Sequence, residues 1–176
     1  YMATVISFNK NYEAHLKTIK EQDIIFNALH GGIGENGKIQ AWMGKNNLNY
    51  TGSGPIASAL CMNKGESKNI ALKSSVKTPK WEIIYNINDS VAMKPPFVVK
   101  PNDQGSTFGL SIVHQKKDTK SALEKAFSFG EIVMVEEYIN GRELTVPIID
   151  DKSYPILEVK PSHELYDYKC KYTPGL

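Results

Sequence analysis

The residues of this chain best suited to chemistry fall in one run, Lys100-Pro101-Asn102-Asp103-Gln104-Gly105-Ser106-Thr107-Phe108-Gly109. A lysine ends one apolar stretch, and a loop with two glycines leads to the next. Glycine removes the Cβ and lets main-chain N–H groups approach an anion closely, while the Ser106 and Thr107 hydroxyls add donors. A lysine at the end of a strand beside such a loop places a point charge on phosphate. The run lacks the G-x-x-x-x-G-K-[ST] spacing, so it is not a Walker loop. Alone, such a loop is more often a simple turn than an anion site.

Lys64, in an expected helix, offers a second cation from another direction, although a single lysine is ordinarily a solvated surface charge. The third group is Val135-Glu136-Glu137-Tyr138-Ile139-Asn140-Gly141-Arg142-Glu143, where an apolar strand ends in carboxylates. In a nucleotide pocket, backbone groups and a carboxylate there accept from an adenine amino group, and Glu143 accepts from ribose hydroxyls. A polar hairpin tip with solvated acids is the plainer alternative.

The elements that must position these groups follow from pattern. Residues 24–29 read as a short buried strand that breaks into a loop at His30-Gly31-Gly32. Ile39, Trp42 and Met43 mark a helix within residues 34–46. Ser53 is expected to cap one continuous helix through Ile56, Ala59, Leu60 and Ser67 toward Leu72. Strands are expected over residues 78–84, between the prolines at 95–101, and over 110–113. A helix over 118–129 and strands over 132–137, 143–149 and 154–159 follow. The alternation reads as α/β in the first half and α+β in the second.

The chain has 176 residues, 41% apolar content and a formal net charge of +2. That is enough to bury a core, and it gives no electrostatic reason to expect a nucleic acid or an anionic membrane as partner. The two cysteines, Cys61 and Cys170, lie far apart and without zinc spacing, which fits free thiols in a reducing compartment. No apolar run approaches the ~20 residues of a bilayer span, and the start lacks a signal-peptide layout. A cytoplasmic location is the expectation.

Taken together, the motifs resemble the D-alanine-D-alanine ligase family of ATP-grasp enzymes. The matching runs are Ala28 to Gly37 with Gln40, Tyr50 to Gly54, Ala57 to Lys64, Val98 to Pro101 with Gly105 to Gly109, Glu136-Glu137, Glu143 to Val146, and Tyr166-Asp167-Tyr168-Lys169-Cys170-Lys171-Tyr172. The last is specific to this family within the ATP-grasp group. The resemblance implies ATP-grasp architecture: residues 1–52 as the remainder of an N-terminal substrate-side α/β lobe, 53–135 as a central lobe, and 136–176 as the start of a C-terminal lobe. It implies ATP-dependent joining of two D-alanines through an acylphosphate, feeding peptidoglycan synthesis, with a homodimer as the expected assembly.

By the same resemblance Lys64 and Lys100 bind ATP phosphates beside Gly105, and Glu136, Glu137, Tyr138 and Ile139 line the adenine site. Glu143 holds the ribose. Ser106 and Tyr172 match hydroxyls that organise the first D-alanine and the loop over the active site, with Tyr166 in the same loop. Lys171 reaches the γ-phosphate, and His30 matches a substrate-side histidine, although beside two glycines it equally suits a loop-stabilising role.

Three departures stand beside these matches. The family's N-terminal glycine-rich loop, with its glutamate, has no counterpart before Ile24. Asn63 stands where an aspartate is usual. After Tyr172 the segment bearing the family's magnesium ligands is missing, and Thr173-Pro174-Gly175-Leu176 resembles a stretch lying just beyond those ligands. An internal deletion, or a sequence of ordered residues only, explains this. Rival readings are another carboxylate-amine ligase, a D-alanine-D-lactate ligase, or a remnant that binds nucleotide without turnover.

Overall fold

The structure is a computed structural model that describes residues 2–8 and 11–160. It divides into two compact units, Tyr1–Ser67 and Lys68–Leu176. The first is built from short elements: helix α1 (Leu16–Lys20), a 3-10 turn at Gly32–Gly34, and helices α2 (Lys38–Lys45) and α3 (Pro55–Met62). Helix α2 buries Ile39, Gln40 and Met43. On its other side Trp42 meets Phe8 and Tyr12 edge-on, with ring centroids 6.3 and 5.2 Å away. Gly37, which precedes α2, has φ +87°, and a Cβ there would stand 2.3 Å from the Pro55 carbonyl oxygen, so only glycine lets α2 start against α3.

The expected strand over residues 24–29 shrinks to one parallel bridge, Ile25 to Tyr50. Ile25 N–H donates to Asn49 O at 2.8 Å and Thr51 N–H to Ile25 O at 2.9 Å. Beyond that point side chains take over the backbone partners: Thr51 Oγ1 accepts from Asn27 N–H, and Asn27 Oδ1 from Leu29 N–H. The expected long helix after Ser53 is likewise two helices, α3 and α4 (Lys64–Lys73). The chain turns extended at Asn63, ψ 102°, where its Oδ1 accepts from Glu66 N–H at 3.1 Å. Asn63 thus caps α4, satisfying one of the orphan donors of a helix start. Gly54 rather than Ser53 occupies the cap position of α3, and Pro55 is its first residue, where the missing N–H costs nothing.

In the second unit, strands β1 (Trp81–Ile84), β2 (Phe97–Pro101), β3 (Ser111–Val113) and β4 (Val133–Glu137) form one antiparallel sheet in the order β1-β4-β2-β3. Helix α5 (Thr119–Phe127) connects β3 to β4. Side chains alternate across a strand, so the register sorts them into two faces. Ile84, Phe97, Val99, Val113, Val133 and Val135 point to one face and form the core with Ala122, Leu123 and Ala126 of α5. Each large apolar side chain there contributes about 1.5–3 kcal/mol through burial. The other face carries Trp81, Ile83, Val98, Lys100, Ile112, Met134 and Glu136.

The expected strand over 143–149 is split into β5 (Glu143–Thr145) and β6 (Ile148–Ile149). Pro147 between them has no N–H to give a ladder, and its carbonyl instead accepts from Tyr154 N–H. Strand β6 turns into β7 (Lys152–Ser153), and β8 (Leu157–Val159) pairs back with β5. Fold class is borne out: the molecule mixes helices with antiparallel sheet.

Candidate functional site

Lys100 and Glu136 sit on neighbouring strands of the same sheet face, where Val98 lies opposite Glu136 and Lys100 opposite Met134. A lysine and a glutamate on one face at adjacent register positions are within side-chain reach. Lys100 Nζ donates to Glu136 Oε1. The other carboxylate oxygen, Oε2, is held by Lys68 Nζ of α4 at 2.9 Å. All three side chains are largely buried, with 11%, 18% and 12% of the Lys68, Lys100 and Glu136 side chains exposed.

Lys68 is fixed from every direction. Besides Glu136 it donates to Thr78 Oγ1 at 2.7 Å and to the Pro79 carbonyl at 3.1 Å, which accounts for all three ammonium N–H groups. Its Nζ also lies 5.1 Å from the centre of the Trp81 ring, within cation–π range. Burial, the largest influence on Glu136, pushes its carboxyl up. The charge and hydrogen bond of Lys100 and those of Lys68 together outweigh it and hold the group below the ordinary carboxylate range.

The glycine loop follows β2 directly. Asn102, almost fully buried, anchors its start by donating N–H to Ile132 O at 2.9 Å. Ser106 and Thr107 both adopt left-handed backbone, φ 52° and 64°. For non-glycine residues this costs on the order of 1–3 kcal/mol each, and for a β-branched threonine it is a genuine outlier. The turn closes with Phe108 N–H to Gly105 O and Leu110 N–H to Thr107 O. Phe108 stacks on Phe129 at 5.8 Å, and at Gly109, φ +70°, a Cβ would come within 2.9 Å of Pro101 and 3.0 Å of Phe129. Packing therefore holds the strained turn beside Lys100.

The remaining expected residues fall as follows. Glu137 ends β4, is exposed, and donates its N–H to Lys80 O. Tyr138 N–H reaches Pro96 O, and its ring meets His114 edge-on at 6.2 Å. Ile139 is exposed, as is Glu143, which pairs with Val159 at the start of β5. In the first unit, His30 Nδ1 lies 3.2 Å from Glu35 Oε1 on the surface, and Lys64 opens α4. Tyr166, Lys171 and Tyr172 lie outside the described residues, as does Cys170. Cys61 is an exposed free thiol.

Sequence reasoning missed Lys68. Its one available signal was its place one helical turn after Lys64, and that spacing is common to many solvated lysine pairs. No helix among the described residues is long and apolar enough to cross a membrane.

An antiparallel sheet backed by a helix on one face, with a lysine–carboxylate cluster on the other and a glycine turn after the strand that bears Lys100, has the ATP-grasp architecture. Solved ligases superpose on it. The D-alanine–D-alanine ligase of Bacillus anthracis complexed with ATP matches with TM-score 0.78 and 31% identity, over 89% of this chain and 54% of that one. The VanG D-Ala:D-Ser ligase of Enterococcus faecalis matches with TM-score 0.74 and 31% identity, over 86% of this chain and 47% of that one. In sequence, the D-alanine–D-alanine ligase of Pediococcus pentosaceus is 38% identical over 175 residues, covering 98% of this chain and 49% of that protein. The family profile described as "D-ala D-ala ligase C-terminus" matches residues 63–175. The chain belongs to the D-alanine–D-alanine ligase family. It spans about half the length of the curated relatives it matches.

Proposed function

We propose that the protein joins two D-alanines at the expense of ATP. A carboxylate oxygen of the first D-alanine attacks the γ-phosphorus and ADP leaves. The amine of the second then attacks the acylphosphate carbonyl, and phosphate leaves as the dipeptide forms. The dipeptide would serve peptidoglycan precursor synthesis in the cytoplasm, made by a homodimer. Family membership supports this reading, and the observation that carries it is the Lys100–Glu136 pair on one sheet face beside the strained Gly105–Gly109 turn.

In this reading Lys100 and Lys64 meet the phosphates, and Gly105 leaves its backbone open to them. Negative charge accumulates on the transferring phosphoryl group, so preformed cations and N–H donors beside it lower the barrier. Glu136, Glu137, Tyr138 and Ile139 line the adenine site, and Glu143 takes the ribose hydroxyls. Ser106 and Tyr172 stand nearest the substrates, with His30 on the substrate side. Tyr166 and Lys171 belong to the loop that closes over ATP. The division into lobes at residues 1–52, 53–135 and 136–176 belongs to the same proposal.

Magnesium would ordinarily neutralise phosphate charge in such a transfer. Among the described residues no group of three or more His, Cys, Asp or Glu side chains is placed to hold a metal ion.

The test is product analysis with the full-length protein, ATP and D-alanine. ADP release that depends on D-alanine, with a D-alanyl-D-alanine mass in the product, is the expected result. ADP release only with D-serine or D-lactate as second substrate would move the assignment to another ligase. Nucleotide binding without turnover would leave a binding module.

A further inference from the structure

Lys100 and Lys68 flank the same carboxylate but are not equivalent. Lys68 uses its three donors on Glu136, Thr78 and Pro79 and lies over Trp81, so it has no N–H left for a ligand. Lys100 lies near the end of β2, just before the Gly105–Gly109 turn, and gives one of its three N–H groups to Glu136. If Lys100 were the sole counter-ion of Glu136, turning it toward a phosphate would strand a buried carboxylate, and removing one partner of a buried pair is heavily penalised.

We propose that Lys68 is a positioning residue: it is the standing counter-ion of Glu136, and it lets Lys100 leave the carboxylate for a nucleotide phosphate. This rests on the ATP reading above. Among the described residues the charged groups facing Glu136 are Lys68 from α4 and Lys100 from β2, and β1 presents uncharged Trp81 and Ile83 on that face. Each lysine lowers the titration of Glu136. Without Lys68, the buried carboxylate keeps Lys100 for itself or takes up a proton at higher pH.

The experiment measures ATP affinity and steady-state kinetics in the full-length protein across pH 5–8, for the unmodified chain and for Lys68→Met, Lys68→Arg, Glu136→Gln and the Lys68→Met/Glu136→Gln pair. Lys68→Met should weaken ATP about tenfold or more, appearing in KM for ATP rather than in kcat. On acidification the Lys68→Met protein should regain affinity relative to the unmodified protein, because Glu136, with one lysine fewer, takes up a proton at higher pH and releases Lys100. Lys68→Arg should restore most of the loss, because it keeps the charge. In the Glu136→Gln background, Lys68→Met should cost little, since no carboxylate remains to be held. Should Lys68→Met fail to fold, Lys68→Gln, which keeps an amide donor for Thr78 and Pro79 but no charge, carries the same expectations. An equal loss with Glu or Gln at 136, or ATP affinity unchanged by loss of the lysine, overturns the role of Lys68 while leaving the nucleotide reading intact. No ATP binding by the unmodified protein overturns both.

Discussion

At the scale of single residues, a buried carboxylate held by two lysines makes sharp predictions. In the proposed nucleotide site, replacing Lys100 with alanine would remove one charge-assisted phosphate contact, worth on the order of 1.5–3 kcal/mol, so ATP use should fall roughly tenfold to over a hundredfold. Lys77, exposed and outside the turn, is the control, and its alanine variant should be unchanged. Equal small losses at both positions would reject the phosphate assignment. Glu136 also bears on stability. Its folded-state pKa lies below its ordinary value, so its contribution is present above the ordinary glutamate range and is lost as pH falls through the folded value. Glu136→Gln, which leaves Lys68 facing a neutral amide, should cost about 3–5 kcal/mol at pH 7 by denaturant titration and should narrow its gap to the unmodified protein in acid. Lys100 and Glu136 were legible in the sequence because each ends an apolar strand next to a distinctive loop. Lys68 was not, because nothing in a helix sequence says which of several lysines the tertiary fold will bury.

At the scale of elements, the central sheet was legible because its strands are apolar runs bounded by prolines and turn residues, and β2, β3, β4 and α5 fall within a residue or two of expectation. What failed was continuity. Asn63 looks like an ordinary polar residue in a helical run, and its competing use as a cap shows only when its side chain is seen accepting from Glu66 N–H. Pro147 splits a run whose composition is otherwise uniform strand. Asparagine and aspartate are comparable caps, so the asparagine that departs from the family's usual residue keeps the structural role. Asn63→Ala should therefore destabilise the protein by about 1 kcal/mol, whereas Asn63→Asp should be neutral or stabilising by a few tenths through the helix dipole. Thermal melts of the three proteins decide this, and an alanine variant as stable as the aspartate variant would refute the capping role. On the core face, Leu123→Ala in α5 should cost about 2–5 kcal/mol, since Leu123 is almost fully buried against the sheet. A loss near zero would mean that α5 does not pack on the sheet in solution.

At the scale of the whole molecule, two compact units need not melt as one cooperative block. Each contains one of the two tryptophans, Trp42 in the first unit and Trp81 in the second, so each unit carries its own optical reporter. Trp81 lies on the face of Lys68, Lys100 and Glu136, whereas Trp42 packs with Phe8 and Tyr12. A ligand that binds only the folded state stabilises it by about 2.7 kcal/mol at a hundred times its Kd. For a unit of roughly a hundred residues each kcal/mol moves the midpoint by about 4–8 °C, so ATP at that concentration should raise the Trp81-reported transition by roughly 10–20 °C. Trp42→Phe isolates that signal, and Trp81→Phe isolates the other. The same ATP concentration should give a much smaller shift in the Lys100→Ala protein, because its Kd has risen toward the ligand concentration. A shift seen only through Trp42 would move the nucleotide site to the first unit and reject the assignment to the β1–β4 sheet.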